Sequence, residues 1–284
     1  MRLEDQQASR NVDDRRGMRV SPGVAGGGLG TIAIVLLALF FGIDPSAILQ
    51  GLPQGAPPQA QERAADRRAP GGGVEDEMRQ FVAKVLGTTE MTWNELFAAN
   101  GRRYEEPQLV LFDGVVRSAC GTAQAAVGPF YCGLDRKVYI DLSFYRDLRE
   151  RFKAPGDFAQ AYVIAHEVGH HVQNLLGIMD KVNAMRERVG EREANALSVR
   201  LELQADCFAG IWAHHSHRRI QMLEHGDVEE GLNAATQIGD DRIQMRTRGY
   251  VTPDSFTHGS GAQRVQWFRR GLESGDMRVC DTFR

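Results

Sequence analysis

Read as a pattern of apolar and polar positions, the chain falls into two unlike parts. From residue 20 to residue 43 there is no charged side chain, and residues 31–43 read TIAIVLLALFFGI. About 20 apolar residues span the hydrocarbon core of a bilayer, so this stretch predicts one transmembrane helix over 20–43. Residues 44–73 are rich in Pro, Gly, Ala and Gln, with almost no large apolar side chain after Leu52. Such a segment buries too little surface to offset its ordering entropy, and it reads as a flexible, disordered linker. Beyond it the periodicities of folded elements begin. Phe81, Val82, Val85 and Leu86 fall at helical spacing, and Trp93, Leu96 and Phe97 form a second amphipathic segment. Short apolar runs, Leu109 to Phe112 and Val138 to Leu142, lie between Gly- and Cys-containing turns and predict strands. Asp157 is placed to cap a helix that runs to about Leu176 and stops at Gly177. Further helices are expected over Ala194 to His214, over Val228 to Ile238, and from near Ser260. Strands first and helices later make residues 74–284 a single α+β domain, helix-rich with a small sheet.

Composition narrows the class. The 284 residues are 42% hydrophobic and 25% charged, with a formal net charge of −3. Collagen-like, fully disordered and polytopic membrane chains are thereby excluded. Mild acidity leaves no basic face, so no nucleic-acid partner is expected. The charge is unevenly placed: residues 1–73 carry eight Arg against seven acids, or +1, which leaves −4 for the rest. Arg2, Arg10, Arg15, Arg16 and Arg19 all precede the apolar stretch. By the positive-inside rule, residues 1–19 then form a cytoplasmic stub, 20–43 a single crossing of the cell membrane, and the domain is periplasmic or extracellular. A cleaved signal peptide fits less well, because the charged region is long and no clear small-x-small site follows.

Outside the cytoplasm, paired thiols oxidise. Of the three connectivities open to four cysteines, Cys120–Cys132 with Cys207–Cys280 is favoured, since the first pair flanks a short Gly-rich loop. Zinc ligation by these thiolates is the other reading, and it lacks any C-x-x-C pair.

The chemistry is concentrated in residues 166–170, His-Glu-Val-Gly-His. Residues four apart on a helix stand one above the other. His166 and His170 therefore reach one metal ion, and neutral imidazole is a good zinc ligand. Glu167 points to nearly the same side, as the base for a zinc-activated water. A catalytic zinc needs a third protein ligand and an open position. The longer motif with a Gly and then a third His is excluded, because Gln173 and Leu176 occupy those places. Among the acids that follow, Glu187, Glu191, Glu193 and Glu202, only Glu202 has an Asp four residues on. Glu202 is thus the expected third ligand, and Asp206 the acceptor that fixes the tautomer of a ligand imidazole. Their neighbours Leu201, Leu203, Phe208 and Ile211 mark a packed helix rather than a solvated acidic stripe. His171 is rotated off the metal face and reads as a packing residue. His214, His215 and His217 suit a helix C-terminus, and no second metal is assigned to them.

With these residues in place, the chain resembles the bacterial neutral zinc metallopeptidases that carry one N-terminal membrane segment. The resemblance covers nearly the whole chain: the Arg-rich start and apolar segment, Cys120-Gly121, Gly128 to Cys132, Val138 to Leu142, Ala165 to Gln173, Leu201 to Cys207, and Thr257 to Ser260. It implies a zincin-like peptidase domain holding one zinc ion, a peptide or protein substrate, and contact with the lipid bilayer through residues 20–43. A more distant likeness is to zincins with a Glu as third ligand, among them thermolysin and the membrane-associated prenyl-protein-type peptidases. In the latter, Thr-His-Pro opens a motif that ends in Arg six residues after the His. Here Thr257, His258 and Arg264 match, while Gly259 replaces the proline. That likeness implies that His258 stabilises the oxyanion and that Arg264 buttresses the site. In zincins an edge strand above the metal pairs with extended substrate, and Val138 to Leu142 is placed to belong to that sheet. The alternative is a non-catalytic or latent zinc-binding scaffold at the membrane. Structural zinc sites are usually closed by four ligands, commonly including Cys, whereas this one offers three and an intact base.

Overall fold

The computed structural model describes residues 1–17, 73–124 and 128–284. The transmembrane helix expected over 20–43 lies outside these residues, as does the expected linker up to its last residue, Gly73. Among the described residues no helix is long and apolar enough to cross a membrane. In chain order the elements are β1 (Val12–Asp14), α1 (Gly73–Ala99), β2 (Gln108–Phe112), β3 (Val115–Ser118), β4 (Gly121–Gln124), β5 (Phe130–Cys132) and β6 (Lys137–Asp141). Then come α2 (Ser143–Glu150), α3 (Asp157–Leu175), α4 (Ile178–Arg186), α5 (Glu191–Ile220), α6 (Asp227–Gln237), α7 (Asp240–Arg248) and α8 (Gly261–Ser274). The expected α+β class, helix-rich with a small sheet, fits this order.

The sheet runs β1-β2-β6-β5, with β1, β2 and β6 parallel and β5 antiparallel on β6. Side chains alternate between its faces. Leu109, Leu111, Val138 and Ile140 join the main core, while Val110, Phe112 and Tyr139 join a smaller one with Val116 and Cys132. A separate β3–β4 hairpin carries Cys120, which is disulfide-bonded to Cys132 at the end of β5. The second disulfide, Cys207–Cys280, ties the C-terminal tail to α5.

The two amphipathic segments expected between residues 81 and 97 are one helix, α1. The only helix-weakening residues between them are Gly87 and three threonines, Thr88, Thr89 and Thr92, a small propensity cost against so much burial. Thr88 and Thr89 turn their hydroxyls back onto the carbonyls of Val85 and Leu86. The face bearing Val82, Val85, Leu86, Trp93 and Phe97 is buried. The central helix is α3, apolar on nearly all sides and buried from Phe158 to Gln173 except at Gln160, as expected of a core helix. It ends at Leu175, and Gly177 follows in the left-handed conformation that stops helices. The helix from near Ser260 starts with Ser260 and Gln263 forming a capping box.

The largest correction concerns the N-terminus. Residues 1–19 were expected to stand apart as a stub, yet residues 1–17 pack onto the domain. β1 pairs in parallel with β2, matching Val12 to Leu109 and Asp14 to Leu111. Leu3 is buried in the main core. Gly87 makes room for this segment, because a Cβ there would lie 2.5 Å from the Gln7 carbonyl oxygen. The Met1 ammonium is 2.8 Å from Asp157, 3.3 Å from Glu224 and 3.4 Å from Asp227. Periodicity could not reveal this: three strand residues are too few for a pattern, and their partner lies about 97 positions on.

Candidate metal centre

α3 and α5 pack together with Gly169 against Ala205, where a Cβ on residue 169 would be 2.9 Å from the Ala205 carbonyl oxygen. The absent side chain lets the two backbones approach and brings the α3 histidines to the α5 carboxylates. His166 Nε2 is 3.1 Å from Glu202 Oε2, and His170 Nε2 is 3.4 Å from Glu202 Oε1. One ligand atom from each of His166, His170 and Glu202 lies within 4.8 Å of the others. The i, i+4 spacing on α3 and the placement on α5 thus gather the residues singled out in the sequence.

A second layer aims the rings. His166 Nδ1 is 2.9 Å from Asp206 Oδ1, and His170 Nδ1 is 2.9 Å from Gln173 Oε1. Both partners accept, which assigns the ring proton to Nδ1 and turns each Nε2 lone pair towards Glu202. Asp206 is itself held: Arg264 donates to both its oxygens at 2.9 Å, and the Tyr162 hydroxyl donates to Oδ1. Gln173 donates to the Leu201 carbonyl at 2.6 Å, tying the His170 partner to α5. Two imidazoles and a carboxylate with oriented lone pairs fit a zinc ion, whose catalytic sites use three such ligands and one open position.

The electrostatics point the same way. Burial disfavours charge on His166, but the Asp206 carboxylate and its hydrogen bond, with Glu202 behind them, push its pKa up to about 10. Burial also opposes charge on Glu202, yet His170 and His258 hold its carboxyl well below the usual range. These carboxylates create a field that draws positive charge to the imidazoles. Glu167 behaves differently: burial foremost raises its pKa, which suits a base. His166, Glu167, His170, Glu202, His258 and Arg264 all line one cleft of about 590 Å³. Its outer wall includes Phe130 and Tyr131 of β5, with Phe144 and Phe152 beside them.

His258 reaches this cleft from the loop before α8. Asp240 accepts backbone N–H bonds from Thr257, His258 and Gly259 at 2.7, 2.6 and 3.0 Å, and its Oδ1 lies 3.3 Å from His258 Nδ1. Gly259, where the distant motif has proline, has φ +88°, a conformation that proline cannot adopt. The departure from that motif is therefore a different loop rather than a lost site. His171 faces away, bonding the Tyr131 hydroxyl at 2.9 Å and the Glu105 carbonyl at 2.6 Å. Burial lowers its pKa to about 4, so it packs as a neutral ring. His214 and His215 bond the carbonyls of Leu272 and Gly275.

Comparison with known proteins agrees with this geometry. A family profile described as "Putative neutral zinc metallopeptidase" matches residues 1–283. The chain belongs to that family. It is 47% identical to the uncharacterized protein YpfJ of Escherichia coli K12 over 292 aligned positions, covering 100% of this chain and 99% of the relative. The uncharacterized protein Rv2575 of Mycobacterium tuberculosis H37Rv is 38% identical, over 87% of this chain and 85% of its own length. No solved structure matches significantly. The family match extends through residues 1–17, in keeping with their place in the packed body.

Four supporting residues escaped the sequence reading. Tyr162 stands four before His166 and Gln173 three after His170, both on the metal face of α3, and that spacing was a usable signal. Gly169 carries no signal of its own between the two histidines. Asp240 had no signal, being 18 residues from the histidine it holds.

Proposed function

We propose that this protein is a zinc-dependent endopeptidase, with His166, His170 and Glu202 holding one ion and Glu167 as general base. The observation that carries the reading is the convergence of both imidazole Nε2 atoms on Glu202, on a cleft wall shared with Glu167. Zinc, when bound, polarises a peptide carbonyl and lowers the pKa of water towards neutrality. Glu167 takes the proton from the attacking water and delivers it to the leaving amine. Asp206 and Gln173 keep the histidine lone pairs aimed, and Arg264 keeps Asp206 ionised. His258, held by Asp240, is placed at the cleft to stabilise the oxyanion. The substrate backbone is proposed to lie along β5, which pairs only with β6 among the described residues. Val138 to Leu142, the sequence candidate for the sheet, is inner strand β6. Contact with a lipid bilayer through residues 20–43 belongs to the same proposal.

The test is Glu167→Gln in the full chain. Cleavage of an unfolded protein substrate is expected to fall by roughly 10²–10⁴-fold, with zinc content by mass spectrometry unchanged. Retained cleavage overturns the assignment of the base.

A further inference from the structure

The docking of residues 1–17 bears on where the protein lies relative to a membrane. Several separate features hold this segment to the domain. The β1–β2 ladder is bracketed by the Leu109 amide donating to Asn11 and the Arg15 amide donating to Leu111, both at 2.8 Å. Further up the chain, the Ser9 amide donates to the Ala83 carbonyl and the Arg2 amide to the Met222 carbonyl, each at 2.8 Å. Glu90 accepts from the Ser9 hydroxyl at 2.6 Å and from the Asn11 side-chain Nδ2 at 2.8 Å. Leu3 is buried in the main core, and Gly87 leaves the gap through which the Gln7 backbone passes. Contacts with α1, β2 and the segment after α5 are thus made by backbone and side chain alike.

Three of the four arginines of this segment form ion pairs, one with the domain and two with neighbouring aspartates of β1. Arg2 meets Glu224 at 3.1 Å, Arg15 meets Asp13 at 2.7 Å, and Arg16 meets Asp14 at 2.6 Å. Residues 1–17 hold four Arg and four acids, so the segment is neutral apart from its terminus. Arg2, Arg15 and Arg16, three of the five arginines that suggested a cytoplasmic stub, are thus paired with acids without any membrane.

We infer that residues 1–17 and residues 73–284 occupy the same side of any membrane, as one folded unit. The hydrocarbon core of a bilayer is about 30 Å thick, and hydrogen-bonded partners cannot stand on opposite sides of it. A contact also joins α1 to β1 directly: Arg79 Nε is 3.4 Å from Asp14 Oδ2. The described residues that flank positions 18–72, up to Gly17 and from Gly73, thus lie on one side. This inference is independent of the peptidase reading.

The experiment is paired cysteine labelling in cells that make the full chain. Arg10→Cys and Arg103→Cys each place a thiol at an exposed position, one in the N-terminal segment and one in the domain. The wild-type chain, whose four cysteines are paired, is the blank. A membrane-impermeant maleimide is applied before and after permeabilisation. The expected result is that the two thiols behave alike, both reacting in intact cells or both only after permeabilisation. One thiol reacting in intact cells and the other only afterwards overturns the inference. A second arm covers thiols that stay unreactive: Asn11→Cys with Glu90→Cys, treated in cells with a short permeant bis-maleimide. Formation of the 11–90 link, read by peptide mass mapping, supports one compartment, and its absence alongside efficient modification of each single variant overturns it.

Discussion

At the head of α3, Asp157 gathers with Asp227 and Glu230, their ligand atoms within 4.8 Å of one another. Nine residues along the same helix, about 14 Å on, His166 opens the group completed by His170 and Glu202. By proximity alone the two look alike, and the difference lies in what surrounds them. The first group is filled by the chain itself: the Met1 ammonium bonds Asp157 at 2.8 Å, and Glu230 accepts the Phe158 amide at 3.2 Å. Its side chains are all carboxylates, with no imidazole among them. In the other group, Asp206 and Gln173 hold both imidazoles so that their Nε2 atoms face Glu202. Metal competence therefore comes from ligand type and from what orients the ligand, more than from the number of acids.

The sharpest way to break this contrast is to remove one carboxylate from each group. Glu202→Ala is expected to lose most of its bound zinc, whereas Asp227→Ala keeps it, as read by metal content after dialysis. Equal retention in both variants would remove Glu202 from the ligand set. A smaller effect is expected from the orienting layer. Asp206→Asn keeps the shape but weakens the acceptor, and zinc affinity should fall about 10- to 100-fold in a chelator competition. An unchanged affinity would mean that His166 is aimed by packing alone.

The N-terminal group is probed through stability instead. Gly87→Val pushes a side chain into the Gln7 backbone, and overpacking of this kind costs about 1–3 kcal/mol. The melting temperature should drop while zinc stoichiometry stays the same; loss of zinc would show that the two groups are coupled through α3. The smallest effect concerns the Met1 ammonium. Burial lowers its pKa, but Asp157, Asp227 and Glu224 together raise it to about 10 from 8.0. A raised pKa stabilises the fold fully below pH 8, and that contribution is lost as pH rises towards 10. Across that window the stability advantage of a free amine over an N-acetylated chain should shrink, as measured by thermal melts. A constant difference would mean that the ammonium is not held by these acids.

Much of the centre was legible because it is local. His166, Glu167 and His170 share one helix turn, and Glu202 and Asp206 share another, so 3.6-residue periodicity places them without tertiary knowledge. Strands β2 and β6 were legible as the dense apolar runs at 109–112 and 138–142. What escaped has a common cause. β1 depends on pairing with β2, far along the chain, and its own residues, Val12, Asp13 and Asp14, give no apolar alternation. Asp240 serves His258 from another element, and Gly87 and Gly169 matter only for what passes against them.

The sequence by itself determined the chemistry on offer: two imidazoles and a base on one helical face, a carboxylate pair on another, and four cysteines whose favoured pairing is the one observed. Tertiary structure alone decided that α3 and α5 meet at Gly169, so that the two faces make one site. It also decided that the arginine-bearing N-terminus is a strand of the domain. The physical reason is the same in both cases. Helical spacing is set by bonds four residues apart, whereas these contacts join segments separated by tens of residues, and only the packed core brings them within reach.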